Sequence, residues 1–247
     1  MKEQIYFIIL LFQLCFLKDN YIIGVYQIKQ TYSKIINRNY PIDLYINDEK
    51  VTFNQNIRFK KADEYIIKFQ FRERIRSMDD MFYGINSLVA VDLSHFDSSN
   101  VKTMDNTFRS CKSLKILDFT DFDASQVTYM GGLFKDSESI VSLDLSSFRT
   151  NSLRDTRNMF DNCKSLRKVD LSNFNTRYVS VMMYMFVGCS SLTSLDLLNF
   201  KLNTNIDMKY MFAGCKALKV LYFPSIPYPS TTYGMRNNCP AKTYNKK

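Results

Sequence analysis

Aspartate recurs at a fixed spacing along this chain and is the feature with the clearest potential for binding chemistry. The carboxylates lie 26 residues apart, in the column Asp92, Asp118, Asp144, Asp170 and Asp196. Each stands between two apolar residues, so on a strand its side chain points away from them. Stacked carboxylates about 5 Å apart would attract a cation or a basic partner. Alternatively, each carboxylate accepts hydrogen bonds from backbone N–H groups or hydroxyls two residues on.

The positions two residues before these aspartates differ from one repeat to the next. Four of them, together with the aspartate column, make up the predicted ligand face: Ile116, Ser142, Lys168 and Ser194. A constant frame with a varied surface is how repeat proteins present an extended binding face. The alternative is a solvent-exposed face with no ligand.

Cysteine also occupies one position in several repeats, at Cys111, Cys163, Cys189 and Cys215. Equivalent residues of adjacent turns could come within the roughly 4.4 to 6.8 Å between Cα atoms that a disulfide needs. Ile85 and Ser137 hold this position in the other two repeats, which favours a small buried residue over an obligatory bridge. A pairing of Cys239 with Cys215 is left open.

Signatures of catalysis are lacking in the sequence. The only histidine is His95, and no Gly-x-Ser-x-Gly, phosphate-binding loop or His/Glu metal motif occurs. There is no Cys-x-x-Cys pair, and seven glycines are too few for the Gly-rich loops of calcium-binding solenoids. The sequence therefore predicts a protein that is not an enzyme and that has no cofactor and no metal.

An internal repeat positions all of these residues. Phenylalanine recurs every 26 residues without insertion or deletion, at Phe82, Phe108, Phe134, Phe160, Phe186 and Phe212. Aliphatic columns follow in phase, and their last part alternates as a short strand does, for example over residues 114–119. Fixed periods of this length are typical of solenoids.

The other half of each repeat has the spacing of a short helix. Apolar residues stand at Val101, Met104, Phe108 and Cys111, which fall on one face at about 100° per residue. The predicted fold is therefore an α/β solenoid of the leucine-rich-repeat type. It has six 26-residue strand–helix turns over residues 77–223, with the strands in a parallel sheet.

The flanking segments are predicted to cover the ends of the solenoid, which otherwise expose its core. Residues 20–76 alternate as half-buried strands, for example over 67–71, and predict a small β-rich N-terminal cap. A separate binding module is the alternative. Residues 224–247 contain three prolines in six positions, which favours an irregular C-terminal cap followed by a polar tail over 242–247.

An apolar run at the start predicts a signal peptide over residues 1–19. Ile5 to Leu17 is interrupted only by Gln13 and is shorter than the roughly 20 residues that a membrane-spanning helix needs. Its length suits the apolar core of a secretory signal. The alternative is a strand or helix of the cap. The sequence predicts no transmembrane helix elsewhere.

Residues 165–189, SLRKVDLSNFNTRYVSVMMYMFVGC, resemble the 26-residue repeat of the BspA-like leucine-rich-repeat family. The resemblance extends over about residues 77–223, and six copies keep the same register. It implies an extracellular or cell-surface binding role, commonly adhesion. It implies no catalytic residues, because the motif of the family is structural.

The functional prediction is a secreted or surface-exposed repeat protein that binds a protein or another macromolecule through its concave sheet. Two alternatives remain, a cytoplasmic interaction scaffold and a structural protein that assembles end to end. The formal net charge is +9, but the basic residues are scattered. Scattered cations are typical of a solvated surface, so nucleic acid is not a predicted partner. The sequence leaves the oligomeric state open.

Overall fold

The computed structural model describes residues 20–245, which form strands joined by turns and contain no α-helix. The predicted signal peptide lies outside the described residues. The strands are β1 (Tyr21–Gln27), β2 (Tyr32–Lys34), β3 (Ile42–Ile46), β4 (Glu49–Val51), β5 (Asn56–Arg58), β6 (Glu64–Phe71), β7 (Leu88–Asp92), β8 (Ile116–Asp118), β9 (Ser142–Asp144), β10 (Lys168–Asp170), β11 (Ser194–Asp196), β12 (Val220–Tyr222) and β13 (Lys242–Tyr244).

The block before the first repeat is a β-sheet that continues into the repeats. Its strand order is β4-β3-β6-β1-β7-β8, so β1 joins the block to the first repeat strand. The strand β1 is antiparallel to both β6 and β7, and β7 is parallel to β8. Apolar residues on one face of β6 alternate with half-buried ones, which is the pattern of a sheet packed on a core.

The repeat strands are short and parallel and keep a constant register. Pairs form between β9 and β10 and between β11, β12 and β13. The middle residues of β8 to β12 pack in the core, as Leu143 and Leu195 do, whereas Thr243 of β13 is exposed. The strand β13 lies within the stretch expected to be a polar tail.

The predicted helical half of each repeat is wrong, because that half consists of turns whose hydrogen bonds run to the next repeat. The N–H of Phe82 donates to the carbonyl oxygen of Thr107 at 2.9 Å, and the N–H of Phe160 donates to that of Met185 at 2.8 Å. A second parallel ladder of one-residue bridges links each repeat to its neighbour, from Ser77 through Thr103 onward. The molecule is therefore a β-solenoid of about six turns and not a strand–helix α/β solenoid.

Left-handed backbone residues explain why no helix forms there. Two positions four residues apart have positive φ in every turn, as at Asn158 (56°) and Asn162 (59°). The first column is Asp80, Asn106, Gly132, Asn158, Tyr184 and Tyr210, and the second is Gly84, Ser110, Asp136, Asn162, Gly188 and Gly214. A right-handed helix cannot continue through a left-handed residue. The apolar spacing that predicted a helix face is produced here by a regularly kinked turn.

Phenylalanine ladders form the centre of the core. The rings of the first column are fully buried and stack on one another, with ring centroids 5.7 Å apart for Phe134 and Phe160 and 5.1 Å apart for Phe160 and Phe186. A second ladder includes Phe122 and Phe148, at 5.2 Å. Burying large rings in register supplies apolar contact between turns. It also holds the outward side chains of the strands at a fixed spacing.

Candidate binding face on the repeat strands

The predicted ligand residues lie on one side of the solenoid, where β8 to β11 present two outward side chains per turn. We call this surface the strand face. Each strand contributes one residue of the varied column and one aspartate, in the pairs Ile116 and Asp118, Ser142 and Asp144, Lys168 and Asp170, Ser194 and Asp196. Register places Asp144 beside Asp170 on the neighbouring strand.

Each aspartate of the column accepts a hydrogen bond from the backbone N–H two residues later. The distances to Oδ1 are 2.8 Å for Asp118, 3.0 Å for Asp144 and 2.9 Å for Asp170. The bond at Asp196 comes from the N–H of Leu198 at 3.0 Å. Such a bond closes the turn that leaves the strand, so the carboxylate has a structural partner. The Oδ2 atoms of Asp118, Asp170 and Asp196 have no hydrogen-bond partner among residues 20–245.

The start of the aspartate column is covered by the N-terminal block. Asp92 is buried, and its Oδ1 accepts bonds from both the N–H and the hydroxyl of Ser94. The same hydroxyl lies 2.9 Å from Nδ1 of His95, whose ring stacks on Tyr21 at 4.8 Å. Asp92 lies beside Asp118 in register but is covered, so the exposed part of the strand face begins at β8.

Charges of both signs line the exposed part of the strand face. Asp144, Ser142, Lys168 and Ser194 are exposed, and Ile116 is half-buried. Hydrogen bonds from the hydroxyl and the N–H of Ser146 hold the pKa of Asp144 below its ordinary value, and the positive charge of Lys168 contributes. Asp144 therefore stays ionised at neutral pH and can accept a basic side chain from outside.

Two tyrosines continue the aspartate column toward the C-terminus. Register places Tyr222 of β12 beside Asp196, and Tyr244 of β13 beside Tyr222. The tyrosine rings are 41% and 46% exposed and their centroids are 5.5 Å apart. Sequence reasoning missed this extension because β13 has no repeat motif. The aromatic residues at 222 and 244 were the available signal.

The cysteine column has a structural role that its position explains. The thiol of Cys163 donates to the carbonyl oxygen of Phe134 at 3.1 Å. In the next two turns, Cys189 and Cys215 donate in the same way to the carbonyl oxygens of Phe160 and Phe186. Where Ser137 takes the place of cysteine, its hydroxyl donates to the carbonyl oxygen of Phe108 at 2.6 Å. All five cysteines in the described part of the chain are free, including Cys239.

Over residues 20–245, no group of three or more His, Cys, Asp or Glu side chains is arranged to hold a metal ion. Within the same range, no helix is long and apolar enough to cross a bilayer.

Comparison with known proteins places the repeat in a family. No curated protein matches the chain. Residues 49–169 and 138–221 match the family described as "Mycoplasma protein of unknown function, DUF285". That description does not name the BspA-like repeat, so the narrower resemblance stays a prediction. The matched segments cover more than half of the 247 residues, and the chain belongs to the DUF285 family of repeat proteins.

Proposed function

We propose that the protein is a non-enzymatic binding protein that holds another protein through its strand face. The supporting observation is the contrast between the two sides of each repeat strand. Inward positions carry the same few apolar side chains in every turn, whereas outward ones change from Ile116 to Ser142 to Lys168. A stiff scaffold that repeats its core and varies its surface suits recognition of an extended partner.

The partner that suits this surface offers basic side chains. Exposed carboxylates at Asp144 and Asp196 accept Lys or Arg, and Arg can bind a carboxylate through two parallel hydrogen bonds. Tyr222 and Tyr244 add exposed rings at one end, and tyrosine is enriched in protein interfaces. The proposed contact therefore combines ion pairs along the aspartate column with aromatic packing at β12 and β13.

Secretion or display at the cell surface is part of this proposal. It is supported by the BspA-like resemblance and by the apolar run from Ile5 to Leu17. A cytoplasmic scaffold is the alternative. A C-terminal tag should be cleaved by protease added to intact cells, or recovered from the medium, and the native N-terminus should lie near residue 20. A protected tag and an uncleaved start would support the cytoplasmic scaffold.

A photocrosslinking amino acid tests the binding surface directly. It is placed at Ser142 or Ser194 on the strand face, and at Lys112 on the turns as a matched exposed control. Irradiation of cells that make the protein should give a discrete protein adduct from the first two positions and none from the third. Equal adducts at all three positions, or none, would contradict a binding strand face.

A further inference from the structure

One row of hydrogen bonds between the turns points the same way along the whole solenoid, although other bonds between repeats run in the opposite direction, such as that from the N–H of Lys102 to the carbonyl oxygen of Arg76. In each turn four N–H groups donate to carbonyl oxygens of the following turn, at 2.7 to 3.1 Å. In the sixth turn the donors are Met208, Tyr210, Phe212 and Gly214, and the acceptors are the carbonyls of Thr231, Tyr233, Met235 and Asn237. A stack of aligned peptide groups leaves unpaired carbonyls at one end and unpaired N–H groups at the other, as in a helix.

The N-terminal block engages the carbonyl end. The backbone N–H of Asn37 donates to the carbonyl oxygen of Met81 at 2.9 Å, and its side-chain amide donates to that of Tyr83 at 2.6 Å. The hydroxyl of Tyr40 donates to the carbonyl oxygen of Ser77 at 3.3 Å. A second copy of the chain therefore cannot stack its N–H end on this one without displacing the block.

The N–H end of this row lies in the last turn of the solenoid. The last turn repeats the left-handed positions at Gly234 (62°) and Asn238 (55°). Its four N–H groups have no acceptor among residues 20–245, and they belong to Thr232, Gly234, Arg236 and Asn238. We call these four groups the amide row. Unpaired amides aligned in this way form a concentration of partial positive charge.

Side chains around the amide row add charge of the same sign. Residues 224–245 contain no Asp or Glu, and their two formal charges are the exposed Arg236 and Lys242. Tyr228 is 93% exposed and Tyr233 is 70% exposed. An occupant must therefore offer acceptors and negative charge, and a second amide row cannot provide them.

We propose that the C-terminal end of the solenoid binds an extended acidic peptide segment of a partner protein, whose carboxylates and carbonyls accept from the amide row. Arg236 and Lys242 add attraction, and the exposed tyrosines pack against its apolar residues. This contact is separate from the strand face and does not depend on it.

Fluorescence anisotropy of the full chain with a labelled peptide of alternating Asp and Gly is the test. This peptide should bind about tenfold more tightly than the matched peptide of Asn and Gly, because charge-assisted hydrogen bonds are the stronger kind. The double change Arg236→Glu and Lys242→Glu should weaken binding about tenfold. The matched change Arg58→Glu and Lys60→Glu, at exposed residues of the N-terminal block, should leave binding within about twofold.

Hydrogen exchange locates the contact and checks folding. The amides of Thr232, Gly234, Arg236 and Asn238 should exchange rapidly in the free protein and become protected by the peptide. Those of Met208, Tyr210, Phe212 and Gly214 should be protected throughout, in both double variants as well. Slow exchange of the amide row in the free protein would overturn the proposal. So would protection confined to another surface, or binding of a short DNA as tight as that of the peptide.

Discussion

The thiol of Cys163 donates a hydrogen bond to the carbonyl oxygen of Phe134, 29 residues earlier in the chain. Burial raises the pKa of this thiol above its ordinary value, so it stays protonated and keeps its donor. The thiol adds a second donor to a buried carbonyl that already accepts from the N–H of Ser137. Donor capacity and small size, not disulfide chemistry, therefore explain why cysteine or serine recurs in this column.

Replacing Cys163 separates these two properties. Cys163→Ala should lower the free energy of unfolding by about 1 kcal/mol, because the buried carbonyl oxygen of Phe134 loses one of its two donors and keeps the N–H of Ser137. Cys163→Ser should cost less, since Ser137 makes the same bond. Urea unfolding followed by circular dichroism measures both, with Cys239→Ser as the control at a half-buried position. An alanine variant as stable as the serine variant would show that the bond contributes nothing.

A glycine substitution distinguishes kinked turns from a helix. Gly84 has φ of 70°, and nothing lies within 4 Å of where its Cβ would be. Gly84→Ala should therefore cost about 1 kcal/mol of backbone strain alone, and Gly84→Asn should cost less because Asn tolerates this region better. In a helix interior the alanine change would instead stabilise by a similar amount. Thermal unfolding gives the sign, and a stabilised alanine variant would contradict the described turn.

Much of the architecture follows from the period alone. The Phe82 to Phe212 column, predicted from spacing, is fully buried, because a residue that recurs in phase must meet its own copy in the next turn. The helix prediction failed because apolar spacing near 3.6 also fits a turn that kinks at fixed points. Gly, Asn and Asp at positions such as Asn158, Asn162 and Gly188 carried the missing signal.

The site was less predictable than the core. The aspartate column and its neighbours lie on one face as the strand alternation indicates. The sequence around Ala90 does not predict that Ala90 packs against Val25 of β1. The reason is that the pairing of β1 with β7 joins segments far apart in sequence. The same reason hid β13, which has no repeat motif and forms only by pairing with β12.

Asp144 tests whether the aspartate column is structural. Its Oδ1 accepts from the N–H of Ser146, and its pKa is lowered from 3.8. A lowered pKa gives stability that is present above that value and is lost as pH falls through the folded-state pKa. Asp144→Ala should cost below about 1 kcal/mol at pH 7, because the group is exposed. Asp144→Asn should cost less, since an amide oxygen can replace the acceptor.

Urea unfolding at several pH values checks these Asp144 variants. Asp123→Ala is the matched control, because Asp123 is an exposed aspartate with the same bond, to the N–H of Ser125, outside the strand face. The two alanine variants should lose similar stability. Only Asp144→Ala should lower the yield of the photocrosslinked protein adduct formed from Ser142 or Ser194 on the strand face. A large loss confined to Asp144→Ala would mean that its carboxylate has a further structural role.

Asp105 should make the protein less stable as pH rises. Burial raises its pKa to about 6, and the negative charges of Asp79 and Asp155 add to this, against the hydrogen bond from the N–H of Gly131 and the charge of Arg157. Because this carboxyl pKa is higher in the folded protein than in the unfolded chain, the unfolded chain loses its proton at a lower pH. The stabilising contribution is therefore complete below about 3.8 and is lost as pH rises through about 6.

Asp105→Asn removes this titration and keeps an oxygen for the N–H of Gly131, 2.6 Å away in the native protein. The variant should be more stable than the native protein by about 1 to 2 kcal/mol at pH 7, after allowance for partial exposure. The difference should shrink toward pH 4. Urea unfolding across this range measures it, and Asp123→Asn is the exposed control. A variant destabilised at pH 7 would show that the ionised carboxylate, with Arg157 nearby, stabilises the fold.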